Sequence, residues 1–195
     1  MRGKAALLCI AASGMLASGA QAQPARRAAV AAAETREAIR DQIANYALLV
    51  DGDGLVRDMR VWANALWTTD AVFQVYDASG RSIFGNDVGR RGRATIYRTF
   101  GGGTGPMAGP ATRHLFLNLR FDRIAIRSAH TRMVGYIVRG WQTAEGDVRP
   151  APASSGYVYH IDWRRDPDDV WRIARSTVYC AFNCIAAPGA RPAPR

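Results

Sequence analysis

Tyr46 and Asp51 stand at the end of the chain's first amphipathic segment, and Thr112-Arg113-His114 opens an alternating segment much later. A phenol, a carboxylate and an imidazole can together do acid–base chemistry without a cofactor. Imidazole takes up and returns a proton near neutral pH, a carboxylate orients it, and a phenol donates to an oxygen that gains charge. Each residue also has a plainer reading. Asp51 precedes Gly52 and could simply end a helix. Tyr46 falls on an apolar stripe, where a tyrosine is most often core with its hydroxyl at the edge. His114 could be a half-buried strand histidine bonded to a carbonyl.

The elements that must position them follow from periodicity. Residues 34–50 predict a helix, with Ile39, Ile43, Tyr46 and Val50 on one side and Arg36, Glu37, Arg40 and Asp41 on the other. Asp51-Gly52-Asp53-Gly54 breaks it. A second helix is expected over 55–66, with Val56, Met59, Trp62, Ala63 and Leu66 inward and Thr69-Asp70 beyond its end. Residues 71–76 and 81–84 read as a hairpin around Asp77-Ala78-Ser79-Gly80, and 91–100 as a short third helix. Four long strands are expected at 112–126, 130–142, 156–164 and 170–180. Helices followed by a run of strands indicate an α+β fold, a curved antiparallel sheet around an N-terminal helix layer. Tyr157, Tyr159, Ile161 and Trp163 form one apolar row, and Leu115, Leu117, Leu119 and Phe121 another. Two such rows predict that both sheet faces are partly covered, most simply in a homodimer.

Composition narrows the function classes. Lys4 is the sole lysine. Schiff-base catalysis, lysine-bound pyridoxal phosphate and a phosphate loop ending in Gly-Lys therefore need a residue that the rest of the chain lacks. The run Gly101-Gly102-Gly103-Thr104-Gly105 reads as a flexible connection. The formal charge is +10, but the arginines are scattered, with no stripe interleaved with aromatics, so no nucleic-acid partner is expected. Affinity for an acidic small molecule stays open. His130 and His160 read as ordinary histidines, and three histidines without carboxylate spacing predict no metal site. A calcium loop at Asp51 fails because Leu55 stands where an oxygen ligand is needed and no glutamate closes the loop.

Residues 1–22 read as a cleavable export signal: Arg2 and Lys4, an apolar run over 5–17, then Ala20-Gln21-Ala22 before Gln23. Residues 23–33 read as a disordered Ala/Arg linker, 34–185 as one domain and 186–195 as a disordered Pro/Ala/Arg tail. A periplasmic or secreted location is expected, with no stable membrane insertion. In such an oxidising compartment Cys180 and Cys184 are expected to form a local disulfide.

The phrase Tyr46-Ala47-Leu48-Leu49-Val50-Asp51-Gly52-Asp53, followed by Trp62-Ala63 and Thr69-Asp70-Ala71-Val72-Phe73, resembles the nuclear transport factor 2-like superfamily. Thr112-Arg113-His114-Leu115-Phe116 and Asp169-Val170-Trp171-Arg172-Ile173 resemble its SnoaL-like branch. The resemblance covers the ordered domain and implies a cone-shaped fold. Asp51 and His114 match the Asp–His pair of scytalone dehydratase and bile acid 7-alpha-dehydratase. Tyr46 matches a substrate-facing phenol of the latter and of ketosteroid isomerase. The chain departs from these patterns at Val75, where the isomerase keeps its base aspartate. It departs again at Tyr136 or Val138, where scytalone dehydratase keeps a second histidine.

The resemblance implies a cofactor-independent dehydratase or isomerase with Tyr46, Asp51 and His114 as its acid–base set. Its substrate would be a small, largely apolar ring compound bearing a carbonyl or hydroxyl. Phe73, Phe116, Asn118 and Tyr136 are the expected pocket residues. Two rivals are a non-catalytic lipid- or pigment-binding protein and a structural dimerising module.

Overall fold

The computed structural model describes residues 16–51, 59–101, 112–142, 148–150 and 154–184. Helix α1 spans Leu16–Asp51 and buries Thr35, Ile39, Ile43, Tyr46 and Val50, spaced by three or four residues. Residues 23–33, expected to be a disordered linker, are helical within α1 and almost wholly exposed. Alanine has the highest helix propensity, so this Ala-rich run extends the helix with little burial. Helix α2 (Met59–Leu66) presents Met59, Trp62, Ala63 and Leu66 to the core. Its expected first turn lies outside the described residues, as do the calcium-loop positions from Gly52 to Leu55, most of the glycine run, residues 1–15 and the 186–195 tail.

Chain direction changes abruptly after Leu66. Strand β1 (Trp67–Tyr76) begins at once and takes up Thr69 and Asp70 as exposed strand residues. The expected hairpin partner at 81–84 makes only a single bridge, Tyr76 to Ser82. The residues that pair with β1 are instead β2 (Arg90–Arg91), followed by Gly92 at φ 82° and helix α3 (Arg93–Gly101). Strands β3 (Thr112–Ile124), β4 (Ser128–Gln142), β5 (Val148–Pro150), β6 (Ser155–Arg165) and β7 (Trp171–Phe182) complete the sheet.

The strand order is β2-β1-β7-β6-β4-β3, with β5 paired to the end of β4. The sheet is mixed rather than purely antiparallel, because β1 and β7 run parallel. The chain leaves β1 through α3, crosses to the far edge at β3, and returns by antiparallel steps until β7 meets β1 from the same direction. The architecture is α+β, with three helices and a curved open sheet among the described residues.

Alternation assigns the two faces. Met133, Ile137, Tyr157, Tyr159, Ile161, Trp163, Ile173 and Val178 are buried on the inner face. Leu115 and Leu117 lie on the outer face, 52% and 48% exposed. Leu119 and Phe121, expected in the same row, pack against the core instead. The β3–β4 register shifts between Leu117 and Arg120, and Asn118 has φ 55°. This bulge offsets the alternation and turns the rest of β3 over.

Candidate active site

Asp51 is the last residue of α1, and His114 is the third residue of β3. A carboxylate at a helix C-terminus faces the negative end of the helix dipole and needs donors. His114 supplies two. Its backbone N–H donates to Asp51 Oδ2 at 2.5 Å, and its ring Nδ1 lies 2.5 Å from Asp51 Oδ1. Arg113 adds a third contact, donating from Nη1 to the Asp51 carbonyl at 2.9 Å. Both side chains of the pair are nearly enclosed, 8% exposed for His114 and 6% for Asp51.

An ionised carboxylate only accepts, so Nδ1 carries the hydrogen, and Nε2 is then the ring nitrogen with a free lone pair. Pairing Nδ1 with a buried carboxylate thus defines a base and points it away from Asp51.

Two aromatic rings flank the imidazole, Tyr46 and Phe116. Tyr46, buried one helical turn before Val50, sets its ring edge-on to His114 at 5.9 Å, to Phe116 at 5.4 Å and to Trp62 at 5.6 Å. Phe116 follows His114 on the inner face and meets Tyr159 at 5.4 Å. Asp51, His114, Tyr46 and Phe116 are therefore brought together.

The remaining expected pocket residues are not. Asn118 sits at the β3 bulge and is exposed, so it leaves the face of His114 and Phe116. Tyr136 pairs with Leu115 and lies on the outer face, where its ring meets Phe182 at 5.7 Å. It therefore cannot wall a pocket beside His114. Phe73 is on the inner face but is core, packed on Trp67, Phe84 and Phe100. His130 and His160 are half-buried outer-face residues; His130 Nδ1 lies 2.8 Å from Asp162 Oδ1. Cys180 and Cys184 form a disulfide with Cα atoms 5.8 Å apart. Among the described residues no group of three or more His, Cys, Asp or Glu is placed to hold a metal ion, and no helix is long and apolar enough to cross a membrane.

Two further site residues were not singled out by sequence. Burial, reinforced by the neighbouring Tyr46, Tyr157 and Asp51, pushes the Tyr159 phenol well above its usual range. Tyr159 is thus a second neutral donor, packed edge-on against Phe116. Its place depends on Gly135, where an added Cβ would stand 2.5 Å from the Tyr159 ring and 3.3 Å from Phe116. Trp62 is fully buried, and among the described residues its indole N–H has no hydrogen-bond partner. Such an orphaned donor costs about 1–3 kcal/mol unless something accepts from it. The inward aromatic row of β6 was the available signal for Tyr159; nothing in the sequence marked the glycine.

A SnoaL-like domain model matches residues 31–177, which include every residue of this constellation. The chain belongs to the SnoaL-like family. No curated protein matches it in sequence. Solved structures resemble this SnoaL-like chain in fold. A candidate scytalone dehydratase from Novosphingobium aromaticivorans DSM 12444 is 18% identical, with a TM-score of 0.59, over 85% of this chain and 99% of that one. Hexachlorocyclohexane dehydrochlorinase LinA type 2 is 15% identical, with a TM-score of 0.57, over 83% and 99%. The β subunit of a candidate aromatic-ring-hydroxylating dioxygenase from the same Novosphingobium strain is 17% identical, with a TM-score of 0.57, over 83% and 99%. At these identities the likeness establishes the fold, which hosts different activities.

Proposed function

We propose that this SnoaL-like protein is a cofactor-independent lyase or isomerase acting on a small, largely apolar ring compound bearing a carbonyl or hydroxyl. The observation that carries the reading is the buried Asp51–His114 pair, with Nδ1 held by the carboxylate and Nε2 left to act. Nε2 removes a proton beside the substrate carbonyl. Asp51 stabilises the positive charge that develops on the ring, and the phenols of Tyr46 and Tyr159 donate to the oxygen that becomes enolate. In the lyase version the proton then leaves with the departing hydroxyl; in the isomerase version it returns to another carbon. The names of two fold relatives, a dehydratase and a dehydrochlorinase, support elimination. The aromatic surroundings of Tyr46, Phe116 and Trp62 support an apolar ring.

The deciding experiment incubates wild type and His114→Ala with a panel of cyclic β-hydroxy ketones. Wild type is expected to consume at least one, and the variant to bind it without turnover. Binding without consumption by wild type, across the panel, would favour a lipid- or pigment-binding protein.

We also propose that the protein is exported and cleaved after Ala22. A helix starting at Gln23 would carry Pro24 in its first turn, where the missing N–H is not needed, whereas inside a longer helix the same proline removes a bond. The Cys180–Cys184 disulfide supports an oxidising compartment. Finally, we propose a homodimer through the outer sheet face, supported by exposed Leu115, Leu117, Tyr179 and Phe182. Leu117→Glu is expected to shift it to monomer in sedimentation velocity.

A further inference from the structure

Helix α2 buries Trp62 with Met59, Ala63 and Leu66, and the chain turns at once into β1, so Trp67 enters the same core from the strand. The two indoles meet edge-on at 5.6 Å, and both residues are fully buried. Tyr46 and Phe100 pack on the Trp62 ring, and Phe73 on that of Trp67. Of these three neighbours only Tyr46 has a polar side-chain atom.

Neither indole nitrogen has an acceptor. Five buried side-chain nitrogen or oxygen atoms make no hydrogen bond among the described residues, and two of the five are these neighbouring N–H groups. A buried tryptophan normally finds a partner. Trp163 shows that this fold can supply one: it is 1% exposed, and its indole donates to Thr131 Oγ1 at 2.9 Å. The orphaned donors are thus gathered in one place, a single ring away from the acid–base pair. Tyr46 joins the two regions, edge-on to His114 at 5.9 Å and to Trp62 at 5.6 Å.

The chemistry of the missing acceptor follows from what the indoles offer. An indole N–H donates and cannot accept. A water molecule beside it would bring hydrogens of its own that need acceptors, and the rings packed there supply one oxygen, that of Tyr46. A carbonyl oxygen accepts and has nothing to donate, so it suits a site built of donors and aromatic faces.

We propose that Trp62 is a specificity-determining residue of the site: its indole N–H donates to a second carbonyl oxygen of the substrate ring, across Tyr46 from the carbon on which His114 acts, with Trp67 as the supporting donor. The assignment rests on the acid–base reading of Asp51 and His114, and it narrows the substrate to a ring with two acceptor oxygens. A ring lacking the second oxygen leaves the indole unpaired, and that is how the site discriminates.

The probes are cyclohexane-1,4-dione and cyclohexanone, which differ by one carbonyl. Each is titrated into the full-length protein and into its His114→Ala variant, so that binding is read without turnover. The readout is the indole N–H resonances in two-dimensional NMR, with the already bonded Trp163 as internal reference. The dione is expected to bind about tenfold tighter than the monoketone, the scale of one hydrogen bond. It should move the Trp62 indole proton downfield, and cyclohexanone should not. Trp62→Phe keeps an aromatic ring in place and should cost that factor for the dione alone; the wild-type shift keeps the test decisive if this variant fails to fold. Equal affinity for the two ketones, no binding of either, or an equal loss of both in Trp62→Phe would each overturn the proposal. So would a Trp62 proton unmoved by bound dione, which would mean that the N–H rests on the face of a neighbouring ring. A Trp62 shift without turnover of the hydroxy-ketone panel would overturn the acid–base reading alone.

Discussion

Asp51 holds His114 at two points of the same residue, the backbone N–H through Oδ2 and the ring Nδ1 through Oδ1, each at 2.5 Å. The amide contact pins the strand to the helix end, and the ring contact selects the tautomer. A single carboxylate thus couples the docking of β3 on α1 to the chemistry of the imidazole.

Asp51→Asn separates these two roles. Its amide oxygen can still accept the His114 N–H, but its NH₂ then faces Nδ1 and draws the lone pair there, leaving the hydrogen on Nε2. The base is turned away from substrate. If the proposed reaction is right, kcat should fall by roughly 10²–10⁴ with KM little changed. Nitrogen chemical shifts of His114 should report the exchanged tautomer, and a wild-type-like tautomer with lost activity would contradict the assignment.

Tyr46→Phe keeps the edge-on ring contacts with His114, Phe116 and Trp62 and removes one donor. One hydrogen bond to a charged oxygen is worth about 1.5–3 kcal/mol, so a loss of roughly 10- to 100-fold in kcat is expected. Tyr159→Phe should give a second loss of similar kind. Steady-state kinetics of the two variants and their double would show whether the phenols act on the same oxygen.

Gly135→Ala should destabilise the fold by about 1–3 kcal/mol, the usual cost of overpacking. The new methyl would meet the Tyr159 ring at 2.5 Å, with Phe116 close behind. Thermal unfolding gives the stability change. An unaltered melting temperature would mean that Tyr159 is free to move aside.

Burial, followed by the neighbouring His130 and Arg132, lowers the His160 pKa below 6.5, while Asp122 and Asp162 oppose the shift. Tyr179 packs edge-on at 5.2 Å. For a base whose folded pKa is depressed, the unfolded chain binds more protons. The stabilisation is therefore complete above about pH 6.5 and is lost as pH falls from there through the folded pKa. Proton NMR should give a His160 midpoint below 6.5, and His160→Gln should flatten the stability profile in that window.

Reducing the Cys180–Cys184 disulfide should lower stability only modestly. The loop it closes is very short, so the unfolded chain gains little freedom, on the order of 2 kcal/mol at most. Melting with and without reductant measures it.

The helix stripe of Ile39, Ile43, Tyr46 and Val50 and the inward row of Tyr157, Tyr159, Ile161 and Trp163 are legible in the sequence, because their periods of 3.6 and 2 are properties of local backbone geometry. The residue types at 46, 51 and 114 announce the chemistry for the same reason: each side chain carries its own proton affinity wherever it lies. What the sequence does not carry is distance. Only the placement of β3 at the sheet edge, against the end of α1, brings Asp51 to His114. Only the bulge at Asn118 decides that Leu119 turns inward while Asn118 leaves the site. Only the β3–β4 register puts Tyr136 on the opposite face from His114. Each depends on one strand's offset against another, and a shift of a single residue moves every following side chain across the sheet.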